Sequence, residues 1–260
     1  MAATLSLGVL GHELVGSGPS RVVILNDWMC DTSTWDGARA VLDGERFTWA
    51  FTDLRGYGRS RGKSGAFNVT EAAGDVIALA DELGWSRFAV VGHSMSTLVA
   101  LHLAQQRADR IERIVVLTPA PPAGFGAPDA MIEGGRALAR ADEATQLAGL
   151  AQRFGARLSA RWPAFKAARW QATSDREAAA AYVTMFMRDG MPDPKTKIET
   201  PVLAITGEQD MVLLRCEAVT RGLSPLCEKL VVTPLADSGH YPMQEMPPLL
   251  VALVERFLAS

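Results

Sequence analysis

The chain is poor in the residues that cross-link a fold or hold a metal ion. Its 260 residues include three cysteines, Cys30, Cys216 and Cys227, which are odd in number and scattered. A disulfide framework is uncommon in a chain of this size, and neither these cysteines nor the four histidines have the spacing of a zinc site. No glycine-rich phosphate loop follows the first predicted core strand. We therefore expect reduced thiols, no bound metal and no cofactor.

Strong charge imbalance and long apolar runs are also missing. The net charge is −3, from 26 basic and 29 acidic residues, and no cluster of lysine and arginine stands out. Binding to nucleic acid or to an anionic membrane is therefore not expected. The amino terminus lacks the basic region and apolar core of a signal peptide, and no stretch approaches the length of a transmembrane span. The expected location is the cytoplasm.

Apolar runs typical of strands alternate with segments of helical spacing along much of the chain. Residues 21–25, 47–52, 87–91 and 111–117 are mostly apolar, as expected of strands buried on both faces of a sheet. Helical spacing separates these runs at residues 35–42, 69–83 and 97–106. The alternation predicts an α/β fold with a mostly parallel sheet flanked by helices. A β-hairpin is predicted ahead of it, over residues 4–16.

The alternation is interrupted between Pro119 and about Thr200. Helical periodicity without a convincing strand appears at residues 131–150, 151–158 and 176–187, and the strand–helix pattern resumes at residue 202. Because ligand sites in open parallel sheets lie outside the carboxyl ends of the strands, we interpret the insertion as a helical cap. The predicted organisation is a first core part (1–118), a cap (119–200) and a second core part (201–260). The alternative is that these helices only extend the core.

The pentapeptide Gly92-His93-Ser94-Met95-Ser96 lies between an apolar strand and a helix. A sharp strand–turn–helix junction exposes the hydroxyl of its central residue above the sheet, which makes Ser94 a candidate nucleophile. Small residues are needed two positions before and after it, and Ser96 meets this need in place of glycine. The candidate oxyanion donors are the backbone N–H groups of Met95, at the helix start, and Trp28, in the loop after residues 21–25.

A serine nucleophile needs a general base, and the four histidines can be compared by position. His12 lies in the amino-terminal segment, His102 points away on the helix after the pentapeptide, and His93 should face away from its neighbour Ser94. His240 lies between the last predicted strand and the last helix, where it could reach back over the sheet. We therefore predict His240 as the base.

The base in turn needs a carboxylate to orient it. Asp210 follows the apolar run 202–206 at the carboxyl end of a predicted strand and is the favoured acid. Asp129, which follows the preceding strand, and Asp237, which is close to His240 in sequence, remain alternatives.

These motifs make the chain resemble the α/β-hydrolase superfamily over nearly its whole length. The markers are the pentapeptide, the loop Asp-Leu-Arg-Gly-Tyr-Gly-Arg-Ser at 53–60, the turn Gly-Glu-Gln-Asp at 207–210 and Ser-Gly-His at 238–240. The chain order serine, aspartate, histidine is the one that this fold uses. The Gly-His-Ser-x-Ser form, with Cys30-Asp31 after the oxyanion loop, is similar to small hydrolases related to karrikin and strigolactone receptors and to bacterial stress-regulator hydrolases. Family members usually carry His-Gly where this chain has Asn26-Asp27.

The resemblance implies hydrolysis of a small-molecule carboxylic ester or lactone through an acyl-enzyme on Ser94. Apolar side chains are expected to line the substrate pocket: Trp162, Phe165, Trp170, Met185, Phe186, Met187 and Tyr241. The tryptophan at position 28 also makes this loop resemble that of the cofactor-free oxygenases of this fold. One alternative is therefore hydrolysis of a carbon–carbon bond or oxygenation of an aromatic-ring compound. A ligand-sensing protein whose slow hydrolysis changes the cap conformation is the other.

Overall fold

The computed structural model describes residues 8–150 and 158–260. These residues form a seven-stranded sheet in the order β1-β3-β2-β4-β5-β6-β7, in which β1 is antiparallel to β3 and the other pairings are parallel. The strands are β1 (His12–Val15), β2 (Ser20–Leu25), β3 (Phe47–Thr52), β4 (Phe88–His93), β5 (Ile111–Leu117), β6 (Val202–Gly207) and β7 (Leu230–Leu235). The predicted α/β class is confirmed.

Helices flank the sheet and fill the connections between its strands. They are α1 (Asp36–Arg39), α2 (Val69–Glu82), α3 (Thr97–Gln106), α4 (Asp129–Arg140), α5 (Glu143–Leu150), α6 (Trp162–Thr173), α7 (Arg176–Thr184), α8 (Cys216–Leu223), α9 (Pro242–Glu245) and α10 (Pro247–Leu258). Helix α2 packs beside α3, while α1 packs against α9 and α10. In the described ranges, no helix has both the length and the apolar character needed to cross a membrane.

The central strands form the core of the molecule. Every residue of β3, β4 and β6 is buried, as are the last four residues of β2 and of β5. Strands covered on both faces favour the continuous apolar runs that the sequence shows. This core fixes the carboxyl edge of the sheet, from which the loops discussed below extend.

One helix was missed by the sequence analysis, and one predicted element falls partly outside the described residues. The amino-terminal hairpin was predicted over residues 4–16, of which 4–7 are outside the described residues; His12–Val15 form β1, which pairs with β3. Helix α6 was not predicted, although Pro163 lies in its first turn, where proline is well tolerated. The helix predicted over 151–158 falls almost wholly outside the described residues.

Helices α4 to α7 lie between β5 and β6, in the segment interpreted as a cap. Residues of α6, of α7 and of the junction between them contact the loop that follows β2: Trp28 Nε1–H donates to the Ala179 carbonyl at 2.7 Å, and the Ser174 hydroxyl donates to the Met29 carbonyl at 3.1 Å. Arg169 pairs with Asp31 at 2.7 Å. The insertion is therefore anchored over the carboxyl end of β2, and the proposed domain boundaries stay a prediction.

The order in which the chain adds strands to the sheet changes direction at β2. Strands β3 and β4 lie on opposite sides of β2, and the last residue of β2, Leu25, is in register with Gly92 of β4. Such a switch point opens a crevice at the carboxyl ends of the two strands. The loop starting at Asn26 and the turn at Ser94 therefore begin side by side.

Candidate active site

The turn after β4 holds Ser94 in a strained backbone conformation. Its φ is +53°, a left-handed value that side-chain-bearing residues rarely adopt and that clusters at functional sites. A Cβ on Gly92 would lie 2.8 Å from the Ser96 carbonyl oxygen, so the turn requires glycine there. The Ser96 hydroxyl accepts from the His93 backbone N–H at 2.9 Å and donates to the His93 carbonyl at 3.0 Å. Serine at this second small position therefore closes the turn with hydrogen bonds.

Ser94, His240 and Asp210 are joined in one line of hydrogen bonds. His240 Nε2 lies 2.9 Å from Ser94 Oγ, and His240 Nδ1 lies 2.6 Å from Asp210 Oδ2. The second oxygen of Asp210 accepts from the Met211 backbone N–H at 2.7 Å. His240 and Asp210 are both buried. The structure thus brings together the three side chains that the sequence singled out.

The loops after β6 and β7 approach each other closely enough to bring Asp210 to His240. A Cβ at Gly207 would collide with the backbone of Gly239, so only glycine permits this approach. The other two candidate acids lie elsewhere: the Asp129 side chain is 91% exposed and pairs with Arg188, and Asp237 is exposed. The geometry therefore agrees with Asp210 as the carboxylate partner.

Glu245 fixes the backbone on both sides of His240, and the sequence reasoning missed it. Its carboxylate accepts from the Gly239 N–H at 2.6 Å and from the Tyr241 N–H at 2.9 Å. Glu245 is buried at the end of α9. A glutamate shortly after Pro242 at a helix start is the one sequence signal for this role, because such residues reach back to N–H groups ahead of the helix.

The His93 side chain is hydrogen-bonded to the backbone of His240. Its Nε2–H donates to the His240 carbonyl at 2.7 Å, and the Thr118 hydroxyl donates to the same oxygen at 3.3 Å. Complete burial is the main cause that lowers the pKa of His93 to about 4. The ring is therefore neutral near pH 7, and it serves as a hydrogen-bond donor to the backbone.

The loop after β2 carries the residues that depart from the family pattern. Asn26 Nδ2–H donates to the Thr52 carbonyl at 2.9 Å and ties the loop to the end of β3. The backbone N–H of Trp28, the predicted second oxyanion donor, donates to Asp27 Oδ1 at 2.6 Å. The N–H that was predicted to bind the substrate oxyanion is therefore already bound by the carboxylate of Asp27.

The other oxygen of Asp27 faces His240. Asp27 Oδ2 lies 3.4 Å from His240 Nε2, and both side chains are 3% exposed. Burial acts to lower the pKa of His240, but the carboxylates of Asp210 and Asp27 outweigh it and raise that pKa to about 9. His240 is therefore an imidazolium near neutral pH in this resting arrangement, flanked by a carboxylate at each ring nitrogen.

Asp27, His93 and His240 also offer the one grouping of potential metal ligands found among the described residues, with ligand atoms within 4.8 Å. Sequence spacing gave no sign of it, because the three residues come from two different loops and from the end of β4. Both ring nitrogens of His240 and Nε2 of His93 already take part in hydrogen bonds. A cation would have to displace Ser94 from His240, so we assign no metal site.

Aromatic side chains predicted to contact substrate surround Trp28 and His240. Trp170 and Phe186 lie 6.1 Å and 5.8 Å from Trp28, measured between ring centroids. Tyr241 meets the His240 ring edge-on at 5.3 Å, and Trp162 packs on Tyr241 at 5.0 Å. Phe165, by contrast, is 54% exposed.

The comparisons with known proteins agree with this architecture. The model of the Alpha/beta hydrolase family matches residues 22–253. The enol-lactonase from Burkholderia xenovorans LB400 has a TM-score of 0.81 and 27% identity, covering 96% of each chain. A bromoperoxidase from Bacillus anthracis has a TM-score of 0.84 at 18% identity, covering 96% of this chain and 95% of its own, and shows the fold alone.

Similarity to curated sequences is confined to part of each relative. The pimeloyl-(acyl-carrier protein) methyl ester esterase of Nitrosomonas europaea is 34% identical over 109 residues, which is 42% of this chain and 40% of that protein. The first relative matched, an uncharacterized protein of Mycobacterium bovis, is covered over 30% of its length. The chain thus spans less than half of the curated relatives it matches.

Proposed function

The chain belongs to the alpha/beta hydrolase family, and from this premise we propose that it is a serine hydrolase that cleaves a small carboxylic ester or lactone. The observation that carries the proposal is the hydrogen-bonded line from Ser94 Oγ through His240 to Asp210. A nucleophile, a base and an orienting carboxylate in this geometry are the parts that acyl transfer to serine requires.

In the proposed reaction Ser94 Oγ attacks the substrate carbonyl while His240 Nε2 accepts the hydroxyl proton. Asp210 holds the imidazole through Nδ1 and stabilises the imidazolium that forms. The Met95 backbone N–H, at the helix start, is the proposed donor to the oxygen that becomes negative. His240 then returns the proton to the leaving oxygen, and water hydrolyses the acyl-enzyme in a second round of the same steps.

The surroundings of Ser94 favour a small, apolar acyl group or ring. Trp170 and Phe186 pack on Trp28, Tyr241 packs on His240, and Trp162 packs on Tyr241. We propose that these four aromatic side chains contact the substrate. The enol-lactonase, similar to this chain over nearly its whole length, supports a cyclic ester, and the partial match to a methyl ester esterase supports an open one. Ester and lactone therefore belong in the same assay.

The proposal is tested by turnover of p-nitrophenyl acetate, p-nitrophenyl butyrate and a set of γ-, δ- and enol-lactones. We expect hydrolysis by the wild-type chain and a loss on the order of 10⁶-fold in kcat for Ser94→Ala. The matched control is Ser96→Ala, whose hydroxyl bonds only to the His93 backbone, with a loss within about tenfold. Full turnover by Ser94→Ala would overturn the proposal. Oxygen uptake with a heteroaromatic hydroxyketone, without ester turnover, would favour an oxygenase instead.

A further inference from the structure

The carboxylate of Asp27 binds the Trp28 N–H, one of the two donors predicted for the oxyanion of the proposed reaction. Its Oδ1 accepts the Trp28 N–H at 2.6 Å, and its Oδ2 lies 3.4 Å from His240 Nε2, the atom that also bonds Ser94 Oγ. An ionised carboxylate here would repel the negative oxygen of a tetrahedral intermediate. The same charge holds a proton on His240, which then cannot accept one from Ser94. The resting arrangement is therefore not the reactive one.

Moving a single proton between two neighbouring groups removes both obstacles. If the proton on His240 Nε2 passes to Asp27 Oδ2, the histidine becomes a free base and the aspartate becomes a neutral hydrogen-bond donor. The pair keeps its net charge, so no proton has to come from solvent. A carboxylic acid kept neutral in an enclosed site is a known type of oxyanion donor.

We propose that Asp27 is a second acid–base group of this site, an inference that rests on the proposed serine hydrolysis. Asp27 accepts the Nε2 proton of His240, and the freed Nε2 then accepts the hydroxyl proton of Ser94 as Oγ bonds to the carbonyl carbon. The π electrons of that carbonyl move to its oxygen, which is stabilised by the Asp27 O–H and the Met95 N–H. When the intermediate collapses, His240 gives its proton to the leaving oxygen. Asp27 stays protonated until the cycle ends.

The Trp28 N–H has a positioning role in this scheme. By holding Oδ1 of Asp27 it directs Oδ2 toward His240 and the reacting oxygen. This role explains why a side chain stands where family members usually have glycine. Asp27 itself supplies the second donor to the oxyanion, and the Trp28 N–H holds the Asp27 side chain in place.

Few other groups near Asp27 change charge between pH 5 and 9. Burial lowers the pKa of His93 to about 4, and it raises the pKa of the Cys30 thiol and of the Tyr57 hydroxyl above their usual values. Lys166, buried on α6 with Nζ 3.3 Å from Thr34 Oγ1, adds a positive charge. Among the described residues that face Asp27, His240 is thus its partner for an exchangeable proton, and Asp210 holds the far side of that ring.

The two protonation steps of the pair give a distinct pH profile for kcat/KM. The reactive form carries one proton shared by Asp27 and His240. A second proton, added at low pH, leaves His240 as an imidazolium beside a neutral Asp27, so that no base remains for Ser94. Loss of the shared proton, expected near the His240 pKa of about 9, leaves an ionised Asp27 beside the oxyanion. Activity should therefore fall on both sides.

The test measures kcat/KM for p-nitrophenyl acetate from pH 5 to 10 in the wild type and in Asp27→Asn. The amide keeps an oxygen to accept the Trp28 N–H and offers an N–H to the oxyanion, but it cannot exchange the proton. We expect the wild type to lose about tenfold per pH unit above about 9. Asp27→Asn should reach a maximum within about tenfold of the wild type and stay level to pH 10.

The control is Asp31→Asn, because Asp31 belongs to the same loop but pairs with Arg169. Its profile should keep the alkaline fall. A wild-type kcat/KM that rises through pH 9 and above would overturn the inference, since Asp27 would then only obstruct the Trp28 N–H. An alkaline fall that persists in Asp27→Asn would overturn it as well. If Ser94→Ala loses turnover and either of these results is found, only the role of Asp27 is rejected, and the proposed hydrolysis stands. Full turnover by Ser94→Ala would instead reject the proposed hydrolysis.

Discussion

Two loops at the same edge of the sheet each place a buried carboxylate against the His240 ring. The loop after β6 brings Asp210 to Nδ1 at 2.6 Å, and the loop after β2 brings Asp27 to within 3.4 Å of Nε2. The first carries the Gly-Glu-Gln-Asp turn by which the sequence resembles the family. The second has Asp27 where family members usually carry glycine.

The difference between the two loops lies in how their carboxylates are constrained. Asp210 is directed by backbone geometry, because only glycine at Gly207 lets its loop approach Gly239. Asp27 accepts a hydrogen bond from the backbone N–H of the next residue, Trp28. In the proposed mechanism, the carboxylate of Asp210 orients the imidazole of His240, and the carboxylate of Asp27 exchanges a proton with it.

Replacing the Nδ1 carboxylate should have the largest effect. Asp210→Asn keeps the size of the side chain but favours the wrong histidine tautomer, so we expect kcat for p-nitrophenyl acetate to fall about 10⁴-fold. Asp237→Asn, an exposed carboxylate near His240 in sequence, is the matched control and should not change kcat. The comparison of the two loops would break if Asp210→Asn lost no more activity than Asp27→Asn.

The backbone support of His240 is expected to have a smaller effect. Glu245→Ala leaves the buried N–H groups of Gly239 and Tyr241 without their acceptor, which should lower the free energy of unfolding by about 2–4 kcal/mol. A displaced His240 should also lower kcat by about 10²-fold. Chemical denaturation and steady-state kinetics measure the two effects.

Glu82→Ala serves as the control for this substitution, since Glu82 is exposed on α2 and its loss should change stability by no more than about 0.5 kcal/mol. If Glu245→Ala were as stable and active as this control, His240 would be held by His93 and Thr118 without the glutamate.

The sequence predicted those parts of the site that depend on strand order and local backbone geometry. Ser94 could be found because a strand, a turn and a helix follow one another around it, and Asp210 because it comes directly after a buried strand. Helix α6 was missed because Trp162-Pro163 looks like a break in the pattern, although proline suits a first turn.

Contacts between distant loops could not be predicted in the same way. The bond from Trp28 to Asp27 depends on a loop conformation that no periodicity describes, and the approach of Asp27 to His240 joins residues more than 200 positions apart. The pairing of β1 with β3 was not predicted for a related reason, because β3 is not the sequence neighbour of β1. Tertiary pairing decided each of these features.

The central claim is that Ser94 is the nucleophile activated by His240, and covalent labelling tests it most directly. A fluorophosphonate probe reacts when serine Oγ attacks phosphorus and fluoride leaves, and peptide mass spectrometry then locates the adduct. We predict one adduct, on the peptide that contains Ser94, which disappears in Ser94→Ala. An adduct on a different residue, or equal labelling of Ser94→Ala, would contradict the account.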